Sequence, residues 1–584
     1  MKSNILKKII KMSFFIAGIA YCSQGLFAQP AYNVANSYGG SGLDLGKSVV
    51  TDLAGNIYVA GTFTGVIDFD PGTGVTNIHT GTMPAASYVC KYDAAGSLVW
   101  AKAIGVGNPS GGQGLCRDLC LDASGNILVC GWFYGTCDFD PGPTVQNMTA
   151  GGTLFNNFVV KLDPSGNFIW SNYAVGNSFT DAAAIATDAM GDVYITGYHD
   201  GKDFFGVSII LEATGGVNNN AYVAKLNGIS GAWIWAKQFD AVVPNEESRG
   251  LGIATDATNN VYTTGYTFAT TDFDPSGATY NLPRGSYISK LDASGNFIFA
   301  KTLAASGMSV GIGYGITLDN HGNIYTSGQF SGTLNFDPNG GTQNIVALGG
   351  YSIYVSKLDA AGNFIFAKQM GGSAGAMYDQ AAYRIKLDDN NNIFLAGTFS
   401  GTNDFDPDGG IYNLTTAGGL DGFTCELDSN GVFICAGNYG GTGNDRLNGL
   451  ALTATQMIIT GGYNNTADFD PGAMAQNLVS AGDIDIFIAK YNEGSCSIIT
   501  GNNELTDNKN SLFSIYPNPT MDMIYIDNVS EADISIINIM GIIVASKQNV
   551  SGSVSFDLSN IAKGTYFVRV FTDNKVSVKK VLLF

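Results

Sequence analysis

Asp52-Leu53-Ala54-Gly55-Asn56-Ile57-Tyr58-Val59-Ala60-Gly61-Thr62-Phe63 is followed, after a four-residue gap, by Asp68-Phe69-Asp70-Pro71-Gly72, and both pieces come back along the chain. The first piece is a tight turn opening into a strand. Aspartate bonds its own backbone, Gly or Asn takes the positive-φ position, and β-branched and aromatic residues follow. Such turns recur at Asp122–Asn126, Asp163–Asn167, Asp292–Asn296 and Asp359–Asn363. The second piece returns at Asp138–Pro141, Asp272–Pro275, Asp404–Pro407 and Asp468–Pro471, with a near copy at Asn335-Phe336-Asp337-Pro338 and a degraded one at Asp203-Phe204-Phe205. Successive copies lie 63–70 residues apart, and with the first they make seven.

Working outward, each unit has the same grammar. A strand such as Ser48-Val49-Val50 ends in the first turn, and the strand Ile57 to Phe63 leads into the long Asp-Phe-Asp-Pro loop. The strand Tyr88 to Tyr92 ends in the turn Asp93-Ala94-Ala95-Gly96, and Leu98 to Lys102 closes the unit. Four antiparallel strands at this period are a propeller blade, so the expected fold is an all-β, seven-bladed β-propeller. The last unit stops after Ile486 to Lys490 without a fourth strand. Val34-Ala35-Asn36-Ser37-Tyr38-Gly39-Gly40 matches Cys435-Ala436-Gly437-Asn438-Tyr439-Gly440-Gly441, the fourth strand of unit six and its exit. An N-terminal strand therefore completes the final blade and removes two exposed sheet edges.

Composition fits this reading. Only 13% of residues are charged, aromatics reach 11%, and there are 77 glycines in 584 residues, as short strands joined by many turns require. Net charge is −20, and about −24 without residues 1–28, which hold four lysines and no acid. That sign argues against nucleic acid and anionic lipid as partners. Residues 1–28 read as an export signal: Lys7, Lys8 and Lys11 precede the apolar run Met12 to Tyr21, and Ala28 offers cleavage before Gln29. A lipoprotein reading of Cys22 is disfavoured by Tyr21, and no segment of the mature chain reaches transmembrane length. The propeller is expected over residues 29–494, a polar linker over 495–511, and a small β-sandwich over 512–584, where Asp533 to Ile536 and Thr565 to Val570 alternate.

The repeats resemble the SBBP-type β-propeller repeats of secreted bacterial proteins over roughly residues 31–492, on their Asp-x-x-Gly-Asn turns, Asp-Phe-Asp-Pro-Gly elements and the stretch Lys161 to Trp170. The tail resembles the type IX secretion C-terminal sorting domain of Bacteroidetes-type bacteria. Its marks are Tyr516-Pro517-Asn518-Pro519-Thr520, Gly541, Asp557-Leu558-Ser559-Asn560, Lys563 to Val570, and Lys579-Lys580, with Ile542 standing where the family usually has Arg or Lys. The resemblance implies passage across the outer membrane and a partner in the type IX secretion machinery.

Candidate functional residues were weighed against structural roles. Turns after strands one and three share one face of such a ring. The long and irregular loops after strands two and four share the other, and a ligand is expected there or at the mouth of the axial channel. Asp68 and Asp70, Asp138 and Asp140, Asp272 and Asp274, Asp404 and Asp406, and Asp468 and Asp470 could each offer two carboxylates to calcium if the segment is extended, or could simply cap their loop. Trp100, Trp170 and Trp235, with Phe299 and Phe366 at the same position, suit packing between blades better than sugar stacking. Cys116, Cys120, Cys130 and Cys137 crowd one unit and admit a disulfide, while Cys90 and Cys425 occupy small buried positions. His79, His199 and His321 sit in unrelated repeat positions, and no zinc-protease helix, nucleophile elbow or phosphate-cradling loop occurs. The expected function is a non-enzymatic, exported binding or adhesion scaffold of unknown glycan or protein ligand. A multivalent lectin is the alternative, and a polysaccharide hydrolase or lyase the further one.

Overall fold

Strands and turns account for the computed structural model, with no helix among the described residues. It describes residues 28–498 and 513–583, apart from 82, 152–153, 177–178, 214–218, 244–245, 373–379, 473, 519, 539–542, 560 and 573–574. The stretch expected as a leader and most of the expected linker therefore lie outside the described residues. Two compact units separate, one covering Phe27–Ser497 and the other containing Ile498–Phe584.

Within the larger unit every repeat folds as a four-strand antiparallel meander. The first consists of Leu45–Thr51, Ile57–Phe63, Ala86–Tyr92 and Leu98–Ile104 in that spatial order. The turn aspartate acts as the sequence implied. Asp52 Oδ1 accepts from the backbone N–H of Ala54 (3.0 Å) and of Asn56 (2.9 Å), and Gly55 adopts φ +80°. Homologous first strands start the later meanders: Val106–Leu121, Thr180–Thr187, Ser248–Thr255, Val310–Leu318, Ala381–Leu387 and Arg446–Leu452. These first strands pack side by side in order, and Arg446–Leu452 returns to pack against Leu45–Thr51, so they form a closed, propeller-like ring.

Apolar cores lie between neighbouring sheets rather than at the centre. The closing joint repeats the internal ones. Thr187 Oγ1 donates to Leu121 O at 3.1 Å and Thr255 Oγ1 to Thr187 O at 2.8 Å; across the joint Thr51 Oγ1 donates to Leu452 O at 2.9 Å. Ala28–Tyr38 is hydrogen-bonded to Asn477–Ile498, the position expected for the missing fourth strand. Tyr38 is buried there, its ring 6.0 Å from Phe69 and 5.6 Å from Tyr92.

The smaller unit is a five-stranded sheet built around the long strand Met523–Asn538. Ser514–Tyr516 flanks the first half of that strand, Gly564–Thr572 flanks the second, and Ile543–Asp557 runs along both. Motif residues hold it together. Asn518 Oδ1 accepts from Leu582 N at 3.0 Å, Lys579 Nζ donates to Phe513 O at 2.8 Å, and Tyr516 stacks on Tyr525 with centroids 5.7 Å apart. Gly541 and Asn560 lie outside the described residues.

Candidate functional site

The paired aspartates turn back on their own loop. Asp68 Oδ1 accepts from Asp70 N (3.0 Å) and Thr76 N (2.7 Å), while Asp70 Oδ1 accepts from Gly72 N (2.8 Å). The same triplet of bonds holds Asp138 with Asp140, Asp272 with Asp274, Asp404 with Asp406, and Asp468 with Asp470. Asn335 makes the first two of these bonds with a neutral side chain, so an acceptor oxygen, not a charge, is what the loop uses. The intervening Phe69, Phe139, Phe273, Phe405 and Phe469 are buried. Among the described residues no group of three or more His, Cys, Asp and Glu side chains stands together as a metal cage.

Aromatic residues on fourth strands lie between units. Trp100, Trp170 and Trp235 donate Nε1–H to the carbonyls of Pro164 (3.3 Å), Gly228 (3.2 Å) and Ala293 (3.1 Å) in the next unit. A methyl group on the turn glycine Gly231 would fall 2.6 Å from the Trp170 ring.

The crowded cysteines are not cross-linked: Cys116, Cys120, Cys130 and Cys137 are free thiols. Strand alternation separates them, because Cys116 and Cys137 face the core shared with the first unit while Cys130 faces the third. Cys435, read from sequence only as part of a fourth strand, is disulfide-bonded.

A different set of side chains converges on the axis. Every first strand carries a β-bulge at the same place, between Gly46 and Ser48, Cys116 and Asp118, Ala182 and Ala184, Gly250 and Gly252, Gly313 and Gly315, Ala382 and Arg384, and Leu447 and Gly449. A bulge re-aims the residue it contains. The bulged residues are Lys47, Arg117, Ala183, Leu251, Tyr314, Tyr383 and Asn448, and all of them line one cavity of about 270 Å³. Asp181, Tyr198, Arg249 and Arg384 complete its wall, which places it toward the end where the loops after strands two and four gather.

What permits the bulge is a glycine on the second strand. A Cβ on Gly61, Gly131, Gly197, Gly265, Gly328, Gly397 or Gly461 would lie 1.8–2.1 Å from a first-strand carbonyl oxygen. No side chain fits there.

The cavity is electropositive in an acidic protein. Of the chain's six arginines, Arg117, Arg249, Arg384 and Arg446 lie on first strands. Arg117 pairs with Asp181 (3.0 Å) and Arg249 with Glu247 (3.0 Å), the Arg249 guanidinium lying 4.1 Å from the Tyr198 ring centroid. Arg384 crosses the channel, donating to Asn448 O (2.8 Å) and Lys47 O (3.2 Å) and pairing with Asp118 (3.2 Å). Lys47 has no carboxylate partner among the described residues. Burial, then the neighbouring charges of Arg117, Arg446 and Arg384, push its ammonium down to about 8. Lys386, exposed to the channel but walled in by protein, is likewise lowered by desolvation.

Sequence reading missed this set. In six units the bulged residue stands five positions before the first-turn aspartate, as Lys47 does before Asp52 and Tyr314 before Asp319, while Asn448 stands five before Thr453. Lys, Arg, Ala, Leu, Tyr, Tyr and Asn alternate there between copies that otherwise repeat.

Residues 514–583 match the secretion system C-terminal sorting domain family. An uncharacterized WD repeat-containing protein of Acanthamoeba polyphaga mimivirus is 21% identical over 558 residues, covering 80% of this chain and 39% of its own length, so the chain spans well under half of that relative. Among solved structures, PorZ, a surface component of the type-IX secretion system of Porphyromonas gingivalis, is similar over 94% of this chain and 100% of that one, at 10% identity and a TM-score of 0.21. A polysaccharide lyase of the ulvan lyase type is similar over 78% of this chain and 96% of that one, at 10% identity and a TM-score of 0.36. Among the described residues no helix is long and apolar enough to cross a membrane. The tail at 514–583 is a type IX secretion sorting domain, and the protein that carries it is secreted or attached at the outer-membrane surface.

Proposed function

We propose that this is an exported, seven-bladed propeller of the SBBP repeat type that binds a ligand in its axial cavity and performs no catalysis, with residues 1–28 as leader and a small sandwich as tail. The observation that carries the binding role is the bulge series: a structurally repeated position, turned to the axis in every unit, is filled by non-repeating side chains. A purely structural position in a repeat would keep one residue type, as the glycine opposite the bulge does. Support for seven blades comes from the circuit of first strands and from the N-terminal strand completing the last sheet. A sandwich tail is supported by the change of neighbours midway along Met523–Asn538. A binding role is favoured over catalysis because the carboxylates nearest the cavity, Asp118, Asp181 and Glu247, are each tied to an arginine.

Ala183→Trp, which fills the cavity from one bulge, tests the reading on an array of bacterial and algal oligosaccharides. Wild-type protein is expected to retain a subset that Ala183→Trp loses, while Ser124→Trp on the short-turn face keeps it. Loss with Ser124→Trp and retention with Ala183→Trp would sink the assignment of face and cavity.

The aspartate pairs we read as loop caps rather than a calcium site, since backbone N–H groups already occupy an oxygen of each. Millimolar calcium is expected to move the melting temperature by less than about 1 °C. A ligand present at a hundred times its Kd would stabilise by about 2.7 kcal/mol, so a rise of several degrees would restore the metal reading.

A further inference from the structure

We infer that the ligand of the axial cavity is an acidic saccharide unit, a sugar ring bearing a carboxylate or sulfate ester whose anionic group seats against Lys47. This rests on the cavity being the binding site.

Charge is the first argument. The chain carries a net −20, yet among the described residues its axis gathers Lys47, Arg117, Arg249, Arg384 and Arg446, with Asp118, Asp181 and Glu247 paired to three of the arginines. A half-buried cation without a counter-charge is costly, and here Lys47 has no carboxylate partner among the described residues. Arg249 Nε is a buried donor with no acceptor. An incoming anion answers the Lys47 charge, and a saccharide hydroxyl can accept from Arg249 Nε across the cavity.

Shape narrows the class. Beside those cations stand Tyr198, Tyr314 and Tyr383, the last two edge to face at 5.1 Å between centroids. Tyrosine offers a flat apolar face and a hydroxyl together, which suits a pyranose with one apolar face and a hydroxylated rim. A cavity of about 270 Å³ is at the small end for ligand sites and takes a terminal or branch sugar rather than a run of them. The acidic exterior disfavours a long polyanion lying across the surface, so recognition of one charged unit fits the charge distribution as well.

Isothermal titration of the mature full-length protein tests this with digalacturonate and galactose 6-sulfate against neutral galactobiose, sodium sulfate and triglutamate. The acidic sugars are expected to bind at least about tenfold tighter than the neutral one, a difference of about 1.4 kcal/mol. Lys47→Met and, independently, Leu251→Glu are expected to weaken acidic-sugar binding by about tenfold or more while melting normally. Affinity should also fall from pH 7 to 9 as Lys47 loses its proton, and that slope should be reduced in Lys47→Met. Of the other groups facing Lys47, the Arg117 guanidinium is held up by Asp181 and the Cys116 thiol is held up by burial. Tyr198 is held above its ordinary value by burial, while Lys386, lowered by burial, accounts for whatever slope the variant keeps. Equal binding of galactobiose, blocked by Ala183→Trp, would overturn the anionic ligand and leave the cavity standing. Acidic-sugar binding that ignores Ala183→Trp would overturn the cavity itself. Sulfate alone or triglutamate binding as tightly as the sugars, or no probe binding at millimolar concentration, would overturn the saccharide assignment.

Discussion

A chain that starts at Gly39 is expected to melt about 5–10 °C lower than one that starts at Ala28, with a broader transition. Loss of Ala28–Tyr38 leaves Asn477–Ile498 as an open edge with a row of unpaired backbone groups. It also empties an aromatic site. The buried Tyr38 ring lies against Phe69 and Tyr92, Tyr32 meets Tyr491 edge to face at 6.1 Å, and Tyr463 Oη donates to Ser37 Oγ at 2.6 Å. Deleting one large buried aromatic costs about 3–5 kcal/mol, and the unpaired ladder adds to that. A synthetic peptide of residues 28–38 added to the truncated protein is expected to recover part of the loss. Differential scanning calorimetry reads both effects. An unchanged melting profile after truncation would mean that the ring does not depend on its N-terminal strand.

The second large effect is expected from Gly265→Ala. Its new methyl carbon would sit 1.8 Å from Arg249 O and 3.0 Å from the Tyr287 ring, with backbone on one side and a packed aromatic on the other. Neither can yield cheaply, so the strand pair must separate or the bulge at Leu251 must flatten. Overpacking of this kind costs about 1–3 kcal/mol or more. A flattened bulge would also withdraw Leu251 and Arg249 from the cavity, so stability and ligand affinity should fall together. Gly277→Ala is the matching control, because a Cβ there meets nothing within 4 Å. Urea denaturation of both variants beside titration of the wild-type ligand makes the comparison. Gly265→Ala behaving like Gly277→Ala would show that the close approach is not what shapes the cavity wall.

Much of the architecture was legible because repetition amplifies weak local signals. One Asp-x-x-Gly-Asn turn is ambiguous, but turns at Asp52, Asp122, Asp163, Asp292 and Asp359 in step with the Asp-Phe-Asp-Pro loops define a meander. The likeness of Val34–Gly40 to Cys435–Gly441 pointed to the strand that the structure pairs with Asn477–Ile498. Repetition hid the cavity for the same reason. Lys47 and Tyr314 do not resemble each other, and a position that varies between copies reads as unconstrained surface. The constraint sits in the backbone, and its trace was Gly61 and its counterparts in every second strand. Phe69 is buried between Asp68 and Asp70, but carboxylate oxygens bonded to Asp70 N and Gly72 N are read only from three dimensions. Free thiols at Cys116 and Cys130 follow from opposite faces of one sheet, which proximity in sequence does not reveal.

Pairing the first described strand with one near the end of the ring also sets an order of events in time. Tyr463 and Ser37 touch across a separation of 426 residues, so this contact cannot form until residue 463 has been synthesised. Contacts of such range make folding slow, because the entropy of closing the intervening loop must be met first. The ring thus closes only after its last sheet has been made, and the first strand waits without its partner until then.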